Sequence, residues 1–219
     1  MVNVMITSAG IDLAPGGEVI LRHQTWADYE DLLECRQDHA AIKVRYDART
    51  QEIRIMAPLP SHGSESDALS DLVKALLRHT GRDWQGFLPI TLKRFGEAGL
   101  EPDTCFYIQH REAILGKKRI DLQSDPPPDL ALEVDATSTT KAVDYEPLRV
   151  PEVWIYRKNR LHIYLFDGRH YREASESPTF PGLPIRQWIP KYVRRAWQAG
   201  SSVALREFEK TLREFTAPG

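Results

Sequence analysis

Cysteine is scarce in this chain. Cys35 and Cys105 are the only two, and neither belongs to a CxxC pair. That excludes a zinc ribbon and a thioredoxin-like redox motif, and it fits a reducing compartment and a protein held together by its core. Long apolar runs are missing as well: no stretch approaches the ~20 residues of a membrane-spanning helix. The N-terminal MVNVMITSAGIDLAPGGEV lacks a basic start followed by an uninterrupted apolar run, so it does not read as a signal peptide. The expected setting is soluble and cytoplasmic, with no membrane. An excess of one charge is also absent, since 29 Lys plus Arg face 31 Asp plus Glu. Overall charge therefore neither demands nor excludes nucleic acid as a partner; binding it would take a local basic patch. No internal repeat and no low-complexity segment occurs.

What is present is ordinary globular composition, 42% apolar and 27% charged over 219 residues, enough to bury a core. Residues 1–24 read as a loosely ordered extension, punctuated by Gly and Pro in its first part. Thr25 then stands before WADYEDLLEC as the N-cap of a short helix. AIKVRYD and QEIRIMA alternate in strand fashion and predict a β-hairpin. After PLPSHG, with Ser61 or Ser64 as a cap, Leu69, Leu72, Leu76 and Leu77 recur at helical spacing, and Gly81 marks a stop. WQGFLP, ITLKRF and EPDTCFYIQ read as strands. EVWIYRKN and RLHIYLFD form a second predicted hairpin, and HYREA adds a strand. The segment after Pro190 carries two helical patterns. No strong internal linker separates these elements. The expected architecture is one α/β domain over 25–190, a mixed sheet flanked by helices, with a helical tail over 191–219.

The stretch PPDLALEVDATSTTK, residues 127–141, carries the sharpest chemical signal. Side chains alternate faces along a strand, so Leu130, Leu132 and Val134 take one face while Asp129, Ala131, Glu133 and Asp135 take the other. The same alternation in EPDTCFYI puts Glu101, Asp103, Cys105 and Tyr107 together. An ionised carboxylate leaves water only at a cost of several kcal/mol unless it is paired or binds a metal. If the two strands are neighbours, Asp103 and Glu133 meet at one end of the sheet and suit a hard cation such as Mg²⁺ or Mn²⁺. Such a cation polarises a phosphodiester oxygen and lowers the pKa of a bound water. Lys141, eight residues after Glu133, would orient that water or offset developing negative charge.

Bland roles stand beside these. Asp103 follows Pro102 and would equally cap a turn. Glu133 would pair with a structural Arg or Lys. Asp135 is a third ligand or a helix cap. Lys141 and Glu65 are by default solvated helix residues, and His62 a turn histidine bonded to backbone. The basic clusters Lys117, Lys118, Arg119 and Arg157, Lys158, Arg160 suit phosphate contacts or solvated loops.

An Asp, a Glu farther on and then a Lys, on strands of an α/β domain, resembles the PD-(D/E)XK nuclease superfamily. GLEPDTCFYI, KKRIDL, DPPPDLALEVD, the Lys141–Tyr145 pair and VPEVWIY together resemble the Uma-type restriction endonuclease family, over about Thr25 to Pro190. RYD followed by IRIMAPLPSH also fits that family's first half. The resemblance implies a restriction-endonuclease-like core and a metal-dependent DNA endonuclease. It implies Asp103 and Glu133 as metal-binding acids and Lys141 as a displaced catalytic lysine; His62, Glu65, Glu101 and Tyr145 stand beside them as accessory candidates. Two positions depart from the pattern. Asp135 stands where the superfamily carries its lysine, and Gly63 follows His62 where relatives often carry Glu. A catalytically weak nuclease fold that binds nucleic acid is therefore the alternative function. The Arg- and aromatic-bearing segment WIPKYVRRAW raises a further expectation, a homodimer.

Overall fold

The computed structural model describes residues 5–7, 10–36, 42–135 and 140–216. Strands β1 (Met5–Thr7) and β2 (Gly10–Asp12) pair as a small antiparallel ribbon. Then come β3 (Glu18–Arg22), α1 (Trp26–Arg36), β4 (Lys43–Asp47), β5 (Glu52–Met56) and α2 (Pro60–His79). Four short strands follow, β6 (Gln85–Phe87), β7 (Leu92–Arg94), β8 (Ala98–Leu100) and β9 (Thr104–Tyr107), and then α3 (Arg111–Ile114). β10 (Leu130–Val134) leads through a 3-10 helix (Ala142–Leu148) to β11 (Glu152–Arg157), β12 (Arg160–Phe166) and β13 (Tyr171–Ala174). Helices α4 (Ile185–Ala199) and α5 (Ser201–Thr216) close the described chain.

Local chemistry accounts for several of these boundaries. At α1, the Thr25 backbone N–H donates to the Asp28 carboxylate at 2.7 Å while the Asp28 N–H donates to the Thr25 hydroxyl at 3.2 Å, a reciprocal N-terminal cap. At α2 neither serine caps the helix. Pro60 occupies the first turn, where its missing N–H costs nothing, and the helix starts before Ser61 and Ser64. His62 thereby lies in the first turn of a helix rather than in a preceding loop. Between β11 and β12, Lys158 and Asn159 both take positive φ, 49° and 59°, as a two-residue hairpin turn with strand-matching twist requires.

The strands form two principal sheets where the sequence predicted one. A six-stranded mixed sheet runs β13-β12-β11-β10-β9-β6, and its parallel pair is β10 with β11. A five-stranded antiparallel sheet runs β3-β5-β4-β8-β7. The largest core packs one face of the six-stranded sheet, including Phe106, Leu130, Leu132 and Trp154, against α2, α4 and α5. A second core, with Cys105, Ala131, Tyr145 and Val153, lies on the opposite face. A third packs α1 on the five-stranded sheet through Tyr29, Val44, Tyr46 and Ile55.

Two outer segments differ from their expected character. Residues 18–22, inside the stretch read as a loose extension, form β3 and pair along β5. The helical tail begins earlier than residue 191, because α4 starts at Ile185 and carries Pro190 within it. Its Ile189, Tyr192 and Val193, with Phe208 and Leu212 of α5, are buried in the largest core.

Candidate active site

Antiparallel pairing of β9 and β10 sets Leu130 against Phe106, Ala131 against Cys105 and Leu132 against Thr104. One further step of the same register brings Glu133 across from Asp103. The alternation read in the sequence thus has a physical counterpart, with Phe106, Leu130 and Leu132 in one core and Cys105 and Ala131 in the other. Both faces of the sheet are covered here, so Glu133 in β10 and Asp103 just before β9 are buried and must find partners. Asp103 is 3% exposed and Glu133 is 6% exposed.

Their partners come from four elements. Lys43, at the start of β4, donates its ammonium to Asp103 Oδ1 and stands 3.8 Å from Glu133 Oε2. His62, in the first turn of α2, places Nε2 3.1 Å from Asp103 Oδ2. The Val134 backbone N–H donates to that same oxygen at 2.7 Å. The Tyr145 hydroxyl, in the 3-10 helix after β10, donates to Glu133 Oε1 at 2.5 Å. Two acids and one lysine thus share a single buried cluster, with a histidine and a tyrosine fixing the outer carboxylate oxygens.

The charges in this cluster hold one another in place. Burial pushes the Asp103 carboxyl up, but the bonds from His62 and Lys43 outweigh it and leave its pKa below the usual carboxylate range. Glu133 shows the opposite balance. Its burial is complete enough to raise its pKa to about 7, with Asp103 adding to the rise while Lys43 and the Tyr145 bond oppose it. Burial also pulls the Lys43 ammonium toward neutrality, yet Glu133 and Asp103 together keep its pKa above that of an ordinary lysine. The His62 imidazole, desolvated but bonded to Asp103, is likewise shifted upward.

The other sequence candidates are distributed around this cluster. Glu101 is engaged elsewhere: Arg36 grips it with two bonds of 2.6 and 2.8 Å, and Thr91 donates to it at 2.7 Å. Asp135 is ion-paired with Arg157. Among the described residues no group of three or more His, Cys, Asp or Glu side chains is disposed to hold a metal. Lys141 is exposed, and its backbone N–H donates to the Asp144 carboxylate at the start of the 3-10 helix. Glu65 is half-buried on α2, its pKa raised mainly by burial. Lys117 bonds Asp125, while Lys118 and Arg119 are exposed.

Lys43 escaped the sequence reading. Its signal was the strand alternation of AIKVRYD, in which Val44 and Tyr46 turn to the core and Lys43 and Arg45 share the other side. Arg45 follows Lys43 into the site. Its Nη1 donates to Asp144 Oδ2 at 2.5 Å, and it lines the same pocket as Lys43, His62, Glu101 and Glu133. The backbone of Gly16 and Gly17 forms another wall of that pocket. On its other side the cluster opens to a groove of about 1030 Å³, bordered by Lys43, His62, Asp103, Lys74 and Pro89.

Asp103 and Glu133 are the two acids that would hold a divalent cation, at the point the Lys43 ammonium occupies. Asp103 Oδ1 and Glu133 Oε2 both face one cationic centre, the Lys43 ammonium. Mg²⁺ is typically held by only one or two carboxylates, with water and substrate phosphate completing its shell.

A family model described as "Uma2: Putative restriction endonuclease" matches residues 26–191. Among solved structures the chain is similar to one titled as a "putative nuclease belonging to DUF820", from Anabaena variabilis. The two are 14% identical with a TM-score of 0.50, and the match covers 71% of this chain and 90% of that one. At that identity the likeness shows the fold. No curated protein matches.

Proposed function

Since the chain belongs to the Uma2 family, we propose that it is a divalent-metal-dependent endonuclease hydrolysing phosphodiester bonds in DNA. The observation that carries this reading is the convergence of buried Asp103 and Glu133 on one cationic centre beside an open groove. Asp103 and Glu133 would hold Mg²⁺ or Mn²⁺. When bound, the ion would supply Lewis-acid polarisation of the phosphoryl oxygen and a water of lowered pKa.

The chain's own groups do the rest. Lys43, which contacts both acids, would orient the attacking water and offset charge developing on the phosphoryl oxygens, the role expected of Lys141. Arg45 has one guanidinium nitrogen bonded to Asp144. Its remaining N–H groups, in the Glu133 pocket, suit a phosphate oxygen. His62 and the Val134 N–H fix Asp103 from one side, and Tyr145 fixes Glu133. Asp135, engaged by Arg157, is left outside the metal set. Cutting both strands of a duplex calls for two such sites, which a symmetric dimer supplies. The free thiols Cys35 and Cys105 accord with a cytoplasmic setting.

Supercoiled plasmid incubated with purified protein and Mg²⁺ or Mn²⁺ tests the proposal. Nicking or linearisation should occur, and should stop with a chelator and in Asp103→Asn or Glu133→Gln. Undiminished cleavage by Glu133→Gln would remove the site from consideration. A second reading, a silent nuclease fold that binds nucleic acid, is favoured by the Lys43 ammonium already bridging the acids. Calorimetric titration with Mn²⁺ separates the two, because a silent fold takes up no ion at these carboxylates.

A further inference from the structure

A second, smaller groove of about 330 Å³ lies beside the start of α2. Its α2 wall is Ser61, next to His62 in sequence, and Glu65, one turn farther on. Its opposite wall is Arg194, Trp197 and Gln198 of α4, and Asn159 from the β11–β12 turn closes one end. Positions 194, 197 and 198 share one helix face by their three- and four-residue spacing.

The chemistry of this groove is distinctive. Trp197 is 65% exposed, a large aromatic face held at the surface. Arg194 is exposed and has no ion pair among the described residues, whereas its neighbour Arg195 is neutralised by Glu207 at 2.7 Å. The Tyr156 hydroxyl donates to Asn159 Oδ1 at 3.0 Å, which orients the amide and leaves its N–H donors available. Gln198 adds a second amide, and Glu65 a carboxylate that accepts from an exocyclic amine. An aromatic plate, a guanidinium with no ion pair among the described residues and several hydrogen-bonding groups around a small volume suit one flat heterocycle attached to a phosphate.

Position supports the same occupant. Neighbouring helix residues are turned by about 100° and raised by about 1.5 Å. Ser61, which lines the groove, is therefore next to His62, which contacts Asp103, on a neighbouring face of the same first turn of α2.

We propose that this groove binds an unpaired nucleobase of the substrate strand, stacked on Trp197 with its phosphate near Arg194. The inference rests on the nuclease reading above. It predicts that the enzyme engages frayed, flipped or single-stranded sites more tightly than uninterrupted duplex, because a paired base cannot enter the groove.

Fluorescence anisotropy with labelled dT12 and with a blunt duplex, in chelator so that nothing is cleaved, provides the test. Stacking of one base is lost in Trp197→Ala, so dT12 should bind about tenfold more weakly. Trp197→Phe should retain most of the affinity, and the duplex should respond to neither change. Arg194→Gln should weaken dT12 binding and flatten its salt dependence. If Trp197→Ala binds dT12 like wild type, the inference is overturned. It is also overturned if the variant's only effect is to turn a concentration-dependent dimer into monomer in sedimentation, which would make Trp197 a contact between copies. Wild-type protein that cleaves plasmid while Trp197→Ala leaves dT12 binding unchanged defeats this inference alone. Wild-type protein that binds neither oligonucleotide and cleaves nothing defeats the nuclease reading with it.

Discussion

The Lys43 ammonium donates directly to the Asp103 carboxylate, joining β4 to the start of β9 across sixty residues of sequence. Both groups are largely out of water, with side chains 13% and 3% exposed. Removing Asp103 leaves the desolvated Lys43 ammonium with only Glu133, 3.8 Å away, and breaking a buried pair costs up to about 3–5 kcal/mol. Asp103→Ala should destabilise the metal-free protein by that order in urea denaturation. A loss no larger than that of an exposed substitution would mean that Lys43 relaxes into solvent.

Tyr145 and Glu133 offer a finer probe. Tyr145→Phe keeps the ring in its core but removes the hydroxyl that donates to Glu133 Oε1. A buried acceptor left without its donor costs about 1–3 kcal/mol. Because the hydroxyl also steadies the ionised carboxylate, the acidic limb of the activity profile should move to higher pH. An unchanged profile would place Tyr145 in a packing role alone.

Stability of the metal-free protein should depend on pH in a definite direction. Glu133 is raised from 4.5 to about 7, so the folded chain holds this proton more tightly than the unfolded chain and loses stability as pH climbs through that window. The His62 contribution is fully present below 6.5 and is lost as pH rises through its raised folded value. Asp103, whose pKa is lowered, contributes stability that disappears only below about 3.8. Melting in chelator should therefore occur at higher temperature at pH 5.5 than at pH 8, and Glu133→Gln should shrink the difference. A steady gain in stability toward pH 8 would contradict the assigned charge balance.

Truncation after Pro190 should not yield a folded core. It would remove Tyr192, Val193, Phe208 and Leu212 from the largest cluster, and each such large apolar deletion costs about 2–5 kcal/mol. Circular dichroism of the truncated chain should show loss of cooperative melting; a sharp transition would show that α4 and α5 are dispensable.

Much of this was legible in the sequence because strand alternation is a local property. PDLALEVD and EPDTCFYI each divided their faces correctly, and that division alone brought Asp103 and Glu133 together once β9 and β10 paired. The lysine was harder. Lys141 is near the acids in sequence, whereas Lys43 contacts them from a second sheet: the alternation of AIKVRYD gives its face but not that packing. The start of α2 was misplaced for a similar reason: PLPSHG looks like a breaker until Pro60 is seen to occupy the first helical turn. Glu101 and Asp135 looked equivalent to Asp103 by alternation, yet Arg36 and Arg157, remote in sequence, claim them.

The most direct measurement is the Mn²⁺-dependent cleavage rate of supercoiled DNA by wild type, Lys43→Met and Lys141→Ala, assayed side by side. Removing the group that supports developing charge should slow Lys43→Met by about a hundredfold or more, while Lys141→Ala should stay close to wild type. Full activity in Lys43→Met, or loss confined to Lys141→Ala, would contradict a site built on Lys43, Asp103 and Glu133.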